Sequence, residues 1–272
     1  MTIGATRASS ARSPTIATES NEHVPQTQAE ADAQWNEITD YIKNHPGDFA
    51  GLDALTQEIT GESIKVAVSD AGTDLTGAQA QAIIDDRAVL PEGATPQSKT
   101  TVSPMAVPSD AFTVSFAMIP RPNIGVYNKA GYGTWDIRDD YVNYSDPDDV
   151  ASIRFEENNC LSMDNSSAQT YTYDGQATNA AILKDAGLNT LSPIFTIDDN
   201  VSGFVGNADH GWVMTDWGKH CGPSTFRGMF TYEHNQDGGS VAGISASFFG
   251  FSVNYNGNPA TLQKSSPIVS FE

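Results

Sequence analysis

The sequence predicts a mainly β protein, a sandwich or barrel of short strands preceded by a small helical segment. Three observations lead there. From residue 112 to the C-terminus, strand-like runs alternate with turn residues at intervals suited to a two-sheet β fold. Helical spacing of apolar residues is concentrated in residues 28–90. Only 18% of the 272 residues are charged, while Thr, Ser, Asn, Gly and Tyr are abundant, as in all-β surface proteins.

Residues 1–28 are rich in Ser, Thr and Arg and contain no apolar h-region, so they do not read as a secretory signal. Ile3 and Ile16 are too far apart for an amphipathic transit peptide, and the segment reads as a disordered tail. A helical segment spans 29–90. Trp35, Ile38 and Ile42 form one stripe, ended by His45-Pro46-Gly47. Phe49, Leu52, Leu55 and Ile59 form a second, stopped by Gly61. Residues 64–68 predict a short strand, and Thr76 can cap a third helix running through Ile83 and Ile84 to about Ala88. This acidic segment reads as an adaptor or as a pro-segment covering the β region. Residues 91–110 form a linker with Pro91, Pro96, Pro104 and Pro108, extended and easily cut.

Strands are predicted near 112–119, 125–127, 152–155, 171–173, 193–197, 202–205, 211–214, 227–232, 245–254 and 268–271, with a possible helical period around 179–186. The run 245–258 ends in Asn256-Gly257-Asn258, a hairpin turn signal. The β region is expected to divide into a domain over 111–206 and additional strands over 207–272.

Charge narrows the function. A net charge of −20, from 34 Asp and Glu against 14 Lys and Arg, excludes a nucleic-acid binder, which needs clustered basic residues. It also disfavours docking on anionic lipid. No apolar run approaches the roughly 20 residues of a membrane span. The two cysteines, Cys160 and Cys221, are outside any C-x-x-C pair. They predict either one disulfide, and with it an oxidising compartment, or two unrelated buried thiols.

One internal repeat carries chemical information. Asp148-Asp149-Val150-Ala151-Ser152 leads into Ile153-Arg154-Phe155, and Asp198-Asp199-Asn200-Val201-Ser202 leads into Gly203-Phe204-Val205. Two carboxylates and a hydroxyl on a tight turn offer hard oxygens to Ca²⁺, with backbone carbonyls completing its six to eight ligands. The same residues are also ordinary turn formers that bond their own backbone.

Acidic-acidic-x-x-Ser before a strand, twice in succession, resembles the βγ-crystallin Greek-key signature. Val126-Tyr127-Asn128-Lys129-Ala130-Gly131-Tyr132-Gly133-Thr134-Trp135 is similar to the family's aromatic-rich hairpin, in which one Gly takes φ > 0. Leu161-Ser162-Met163 followed by Tyr171-Thr172-Tyr173-Asp174-Gly175 is the weaker counterpart in the second half. The likeness covers about 112–206. It implies a Greek-key β-sandwich with added C-terminal strands, and Ca²⁺ held by Asp148, Asp149 and Ser152 and by Asp198, Asp199 and Ser202. The second set fits better, although Gly203 stands where the family places a hydroxyl. Microbial members are commonly extracellular and include protease inhibitors and killer-toxin-like proteins of actinomycetes. The resemblance therefore implies an exported, non-enzymatic, Ca²⁺-associated binding protein, an inhibitor, toxin-like effector or surface module, with a protein or carbohydrate target.

A second polar cluster supports an alternative. His210, His220 and His234 lie within 25 residues, with Asp209, Asp216, Cys221 and Glu233 among them. They could form a His/Asp metal site or a Cys221–His dyad, as in a hydrolase or metalloenzyme. His220 and Cys221 are adjacent and would point to opposite faces of a strand, leaving His210 or His234 to approach Cys221. Trp212, Trp217, Phe226 and Phe230 between them predict half-buried strands, or a groove in which exposed indoles stack on sugar.

Overall fold

The computed structural model describes residues 24–93, 107–125, 128–141, 148–156, 160–172, 174–187, 191–199, 201–202, 205–206, 208–220, 225–236, 239–257 and 259–271. Most of the expected tail and linker, Tyr127, the Gly203-Phe204 step and Cys221 lie outside these residues.

The helical segment forms as its spacing predicts. Helix α1 (Gln28–Asn44) starts at a capping box in which Thr27 accepts from the Glu30 N–H and the Glu30 carboxylate accepts from the Thr27 N–H. Helix α2 (Phe49–Thr60) is capped by Asp48 and stops at Gly61, whose φ of 76° favours a residue without a Cβ. Strands β1 (Lys65–Val68) and β2 (Gly72–Leu75) form a short antiparallel pair. Helix α3 (Gly77–Ala88) starts from a second capping box, Thr76 with Gln79.

The β region begins with β3 (Phe112–Pro120), β4 (Lys129–Ile137), β5 (Asp149–Phe155), β6 (Leu161–Tyr171) and β7 (Ala177–Thr178). Then come β8 (Ala181–Asp185), β9 (Ile194–Ile197), β10 (Val201–Ser202), β11 (Val205–Gly206) and β12 (His210–Lys219). The last five are β13 (Phe226–Asn235), β14 (Ser240–Ser247), β15 (Gly250–Asn256), β16 (Thr261–Ser265) and β17 (Val269–Phe271).

Two sheets carry the fold. The first has the order β2-β1-β3-β4-β12-β6-β7. The second has the order β16-β13-β5-β9-β8, with β17 also pairing β13. Neighbours such as β4 and β12, or β13 and β5, are remote in sequence, so the chain crosses repeatedly between the two sheets of a β-sandwich. The main core lies between the sheets, with Phe112, Phe116 and Trp135 from one facing Ile153, Phe155, Phe195, Phe230 and Tyr232 from the other. A second core lies on the far face of the first sheet. There Trp35, Ile38, Ile42, Phe49 and Leu52 of the helices pack on Ala117, Ile119, Tyr132, Trp212 and Met214. A strand buried on both faces needs no charged or strongly polar face, and β3 is buried throughout, with Thr113 and Ser115 its polar residues.

Several expectations are corrected. The chain around 129–137 is a nine-residue strand rather than a folded-over hairpin, and neither Gly131 nor Gly133 has positive φ. These glycines instead leave room for aromatic rings: a Cβ on Gly133 would come within 2.4 Å of the Phe230 ring. Residues 181–185 form the strand β8, not a helix, because pairing with β9 overrides the local spacing. The hairpin turn lies at Phe248-Phe249 between β14 and β15, and Asn256-Gly257 ends β15. The boundary expected at 206/207 does not divide the sheets, since β12 sits between β4 and β6 and β13 sits beside β5. The helical segment likewise enters the first sheet, because β1 pairs with β3.

Cys160 carries no free thiol. Its carbonyl accepts from the His220 N–H at 2.8 Å, which brings the residue before Cys221 alongside it.

Candidate cation site

The second sheet brings the two acidic pairs together. Strand β5 begins at Asp149, β9 ends at Ile197, and the antiparallel register sets Asp149 opposite Ile197. Asp148-Asp149 and Asp198-Asp199 therefore meet at one end of the sheet. Strand β13 flanks β5 on the other side with Val150 opposite Glu233, so Glu233, His234 and Asn235 arrive at the same end.

Asp149 is the hub. One carboxylate oxygen accepts from the Asn235 N–H at 2.7 Å and the other from the Tyr232 hydroxyl at 2.7 Å. His234 Nδ1 lies 3.2 Å from both oxygens. The ligand atoms of Asp149, Asp199 and His234 lie within 4.8 Å of one another. All three residues are buried, at 0%, 1% and 2% exposure.

The electrostatics are those of crowded negative charge. Burial, and then the neighbouring Asp198, raise the Asp148 carboxyl above its ordinary range, and Lys184 only partly offsets this. Burial and Asp149 raise Glu233. Burial pushes the Tyr255 hydroxyl far up, helped by Glu233, Asp149 and Asp199. Tyr232 rises for the same reason, burial first and Asp149 next. Like charges held together in a partly dry site relax either by taking up protons or by sharing a cation. The donor set is mostly carboxylate oxygen, which suits a hard divalent ion. His234, with Nδ1 turned to Asp149, serves to orient that carboxylate.

The predicted site residues do not all join. Asp149 and Asp199 do, with His234, and Asp148 and Asp198 meet each other on the opposite face of the same sheet end. Ser152 is fully buried in mid-strand, three residues along β5 from Asp149 and hence on the opposite face, and its hydroxyl donates to the Ile153 carbonyl. Ser202 lies in the short β10–β11 ribbon. The first acidic turn thus opens a sandwich strand and the second closes one, so the two do not begin equivalent strands.

The three histidines of the alternative cluster have three different settings. His234 joins Asp149. His220 is exposed and meets the Ser162 hydroxyl. His210 lies opposite Asp136 on β4, has Nδ1 3.3 Å from Asp209 and stacks on Tyr171 at 5.2 Å. Cys221 is outside the described residues.

No family model matches the chain, and no curated protein matches it. Among solved structures, it is similar to the collagen-binding domain from a Staphylococcus aureus adhesin, at 10% identity and a TM-score of 0.25, covering 49% of this chain and 86% of that one. It is also similar to the C-terminal domain of the Streptococcus pyogenes antigen I/II-family protein AspA, at 8% identity and a TM-score of 0.27, covering 57% and 53%. The collagen binding domain of Erysipelothrix rhusiopathiae surface protein RspB matches at 8% identity and a TM-score of 0.26, covering 58% and 65%. Likenesses this distant carry no argument about ligand or activity.

Sequence reasoning missed two features. The Asp136–Asp209–His210 group forms only because β4 and β12, remote in sequence, lie side by side. Burial and then Asp209 raise the Asp136 carboxyl to about 7. Burial would lower His210, but Asp209, Asp136 and Asp139 outweigh it and raise it. The second feature concerns the tryptophans. Trp35, Trp135, Trp212 and Trp217 are all buried, at 8% exposure or less, so no indole is presented for stacking on sugar. The spacing of Trp212 and Trp217 already placed them in strands, but only the helices over one face and the opposing sheet over the other bury them.

Proposed function

We propose that the protein is an exported, non-enzymatic β-sandwich binding module whose acidic end holds a divalent cation, Ca²⁺ being the ion its donors suit best. The observation that carries this reading is the register that sets Asp149 opposite Ile197 and so brings Asp148, Asp149, Asp198 and Asp199 to one end of the second sheet. Asp149 and Asp199, with His234 beside them, would supply the ligands, while Asp148 and Asp198, one residue earlier in each pair and so on the other face of the sheet, add negative charge next to the site. The ion would offset charge that the fold otherwise concentrates there. Export is supported by Cys160, which carries no free thiol. We assign its partner as Cys221, the one other cysteine in the chain. A disulfide of that span stabilises by about 4 kcal/mol through the unfolded chain and persists in an oxidising compartment.

Thermal melting in Ca²⁺ and in EDTA tests the cation. An ion bound only by the folded state adds about 2.7 kcal/mol at a hundredfold excess over Kd, which for a chain of this size raises Tm by roughly 5–10 °C. Asp199→Ala should reduce that rise. Equal melting temperatures in Ca²⁺ and EDTA would overturn the reading.

A further inference from the structure

Next to the acidic end runs an open groove of about 450 Å³. One wall is β8, through Lys184 and Asp185. The other is β14, through Ser240 to Ile244. Ile194 and Thr196 of β9 lie on the floor, and Asp148 closes one end. Both walls are strand edges. Among the described residues β8 pairs only with β9, and β14 only with β15. Among the described residues, each therefore presents one edge that no strand pairs.

Three further observations describe what belongs in the groove. Thr196 is 2% exposed, yet among the described residues its hydroxyl has no hydrogen-bond partner. Ile182, directly across from Thr196 on β8 and so on the same face, is 54% exposed. The charged residues lining the groove are Asp148, Asp185 and Lys184, a net negative set that continues into the acidic end. Unpaired edges call for a strand, the isoleucines for apolar side chains at alternate positions, and the carboxylates for a cation.

We propose that this groove binds an extended, Lys- or Arg-bearing peptide segment of a partner protein, which adds as a strand to the edge of β8 or β14. Backbone hydrogen bonds supply the affinity. The alternation of apolar and basic side chains supplies the specificity. The proposal names the partner class of the binding module and rests on that reading.

A fluorescein-labelled peptide of sequence Lys-Val-Lys-Val-Thr-Val-Lys-Val serves as the probe, with anisotropy and amide hydrogen exchange as readouts. Saturable binding is expected, with protection of amides in β8 or in β14, whichever edge the strand joins. N-methylation of every second probe amide should weaken binding at least tenfold, and so should Glu in place of each Lys. Ile182→Ser, at a position already open to water and without added charge, should also weaken it severalfold. The exchange map needs no variant and stands whether or not that variant folds. Binding that ignores N-methylation, or protection that falls outside β8 and β14, overturns the proposal. Repeating the titration in EDTA and in Ca²⁺ separates the two readings. Groove protection without a Ca²⁺ shift in melting removes the cation alone, and a Ca²⁺ shift without groove protection removes the peptide alone.

Discussion

Single residues in this protein are constrained by what faces them across the sandwich. Gly133 is the clearest case, because the Phe230 ring occupies the space a side chain would need. Gly133→Ala should cost about 1–3 kcal/mol through overpacking, read as a lower urea midpoint at unchanged m-value. A midpoint equal to the wild type would show that the ring moves aside freely. Titrating groups add a pH dependence. The Asp136 carboxyl is held at about 7 by burial and Asp209, and Asp216 at about 6 chiefly by burial. In the unfolded chain such groups release their protons near pH 4. The folded state therefore holds protons that the unfolded state gives up, and stability falls as pH rises from about 4 to about 7. The raised His210 acts in the same direction. Tm should decline from pH 5 to pH 7.5, and Asp136→Asn should flatten that decline. Parallel profiles for the two proteins would contradict this assignment. Little of this was legible in the sequence. The acidic pairs were visible as turns, but that Asp149 would be buried under Tyr232, His234 and Asn235 depends on β13 lying beside β5.

Elements set by local signals were the most legible. Thr76 as a cap, Gly61 as a stop and the Trp35, Ile38, Ile42 stripe all read directly from spacing, because capping and amphipathicity involve residues within one or two turns. Strand β8 misled because its apolar run is short and takes its conformation from β9. The hairpin β14–β15 misled because Asn256-Gly257 is a stronger turn signal than Phe248-Phe249, whereas the register is fixed by Ala246, Ile244, Phe251 and Val253 packing on Val150 and Ile194. The helical segment is held by strand pairing as well as packing. Strand β1 adds to β3, the Tyr171 hydroxyl donates to the Lys43 carbonyl at 2.9 Å, and the Gly47 N–H donates to the Tyr132 hydroxyl at 3.2 Å. Cleavage at a protease site inserted between residues 98 and 99 should leave two fragments that co-elute on size exclusion and part only in denaturant. A helical fragment eluting alone would show that it is a detachable cover.

At the scale of the whole molecule, composition conveyed the class but not the arrangement. A low charged fraction with abundant Thr, Ser, Asn, Gly and Tyr indicated a mainly β chain, and the net charge of −20 indicated an acidic one. Composition did not indicate that both faces of the first sheet would be buried, nor that two acidic turns fifty residues apart would meet. That meeting arises from β5 and β9 being antiparallel neighbours, a non-local pairing that no sequence window contains. Self-repulsion of this charge opposes the compact state, and a cation at its densest point would act against it. Terbium, a luminescent stand-in for Ca²⁺, reads that point directly through energy transfer from nearby aromatic rings such as Tyr232 and Tyr255. The account predicts Tb³⁺ luminescence with a single saturable component, displaced by Ca²⁺, lost in an Asp199→Asn protein that still folds and weakened in Asp198→Asn. Luminescence that never saturates, or that survives Asp199→Asn, would contradict it.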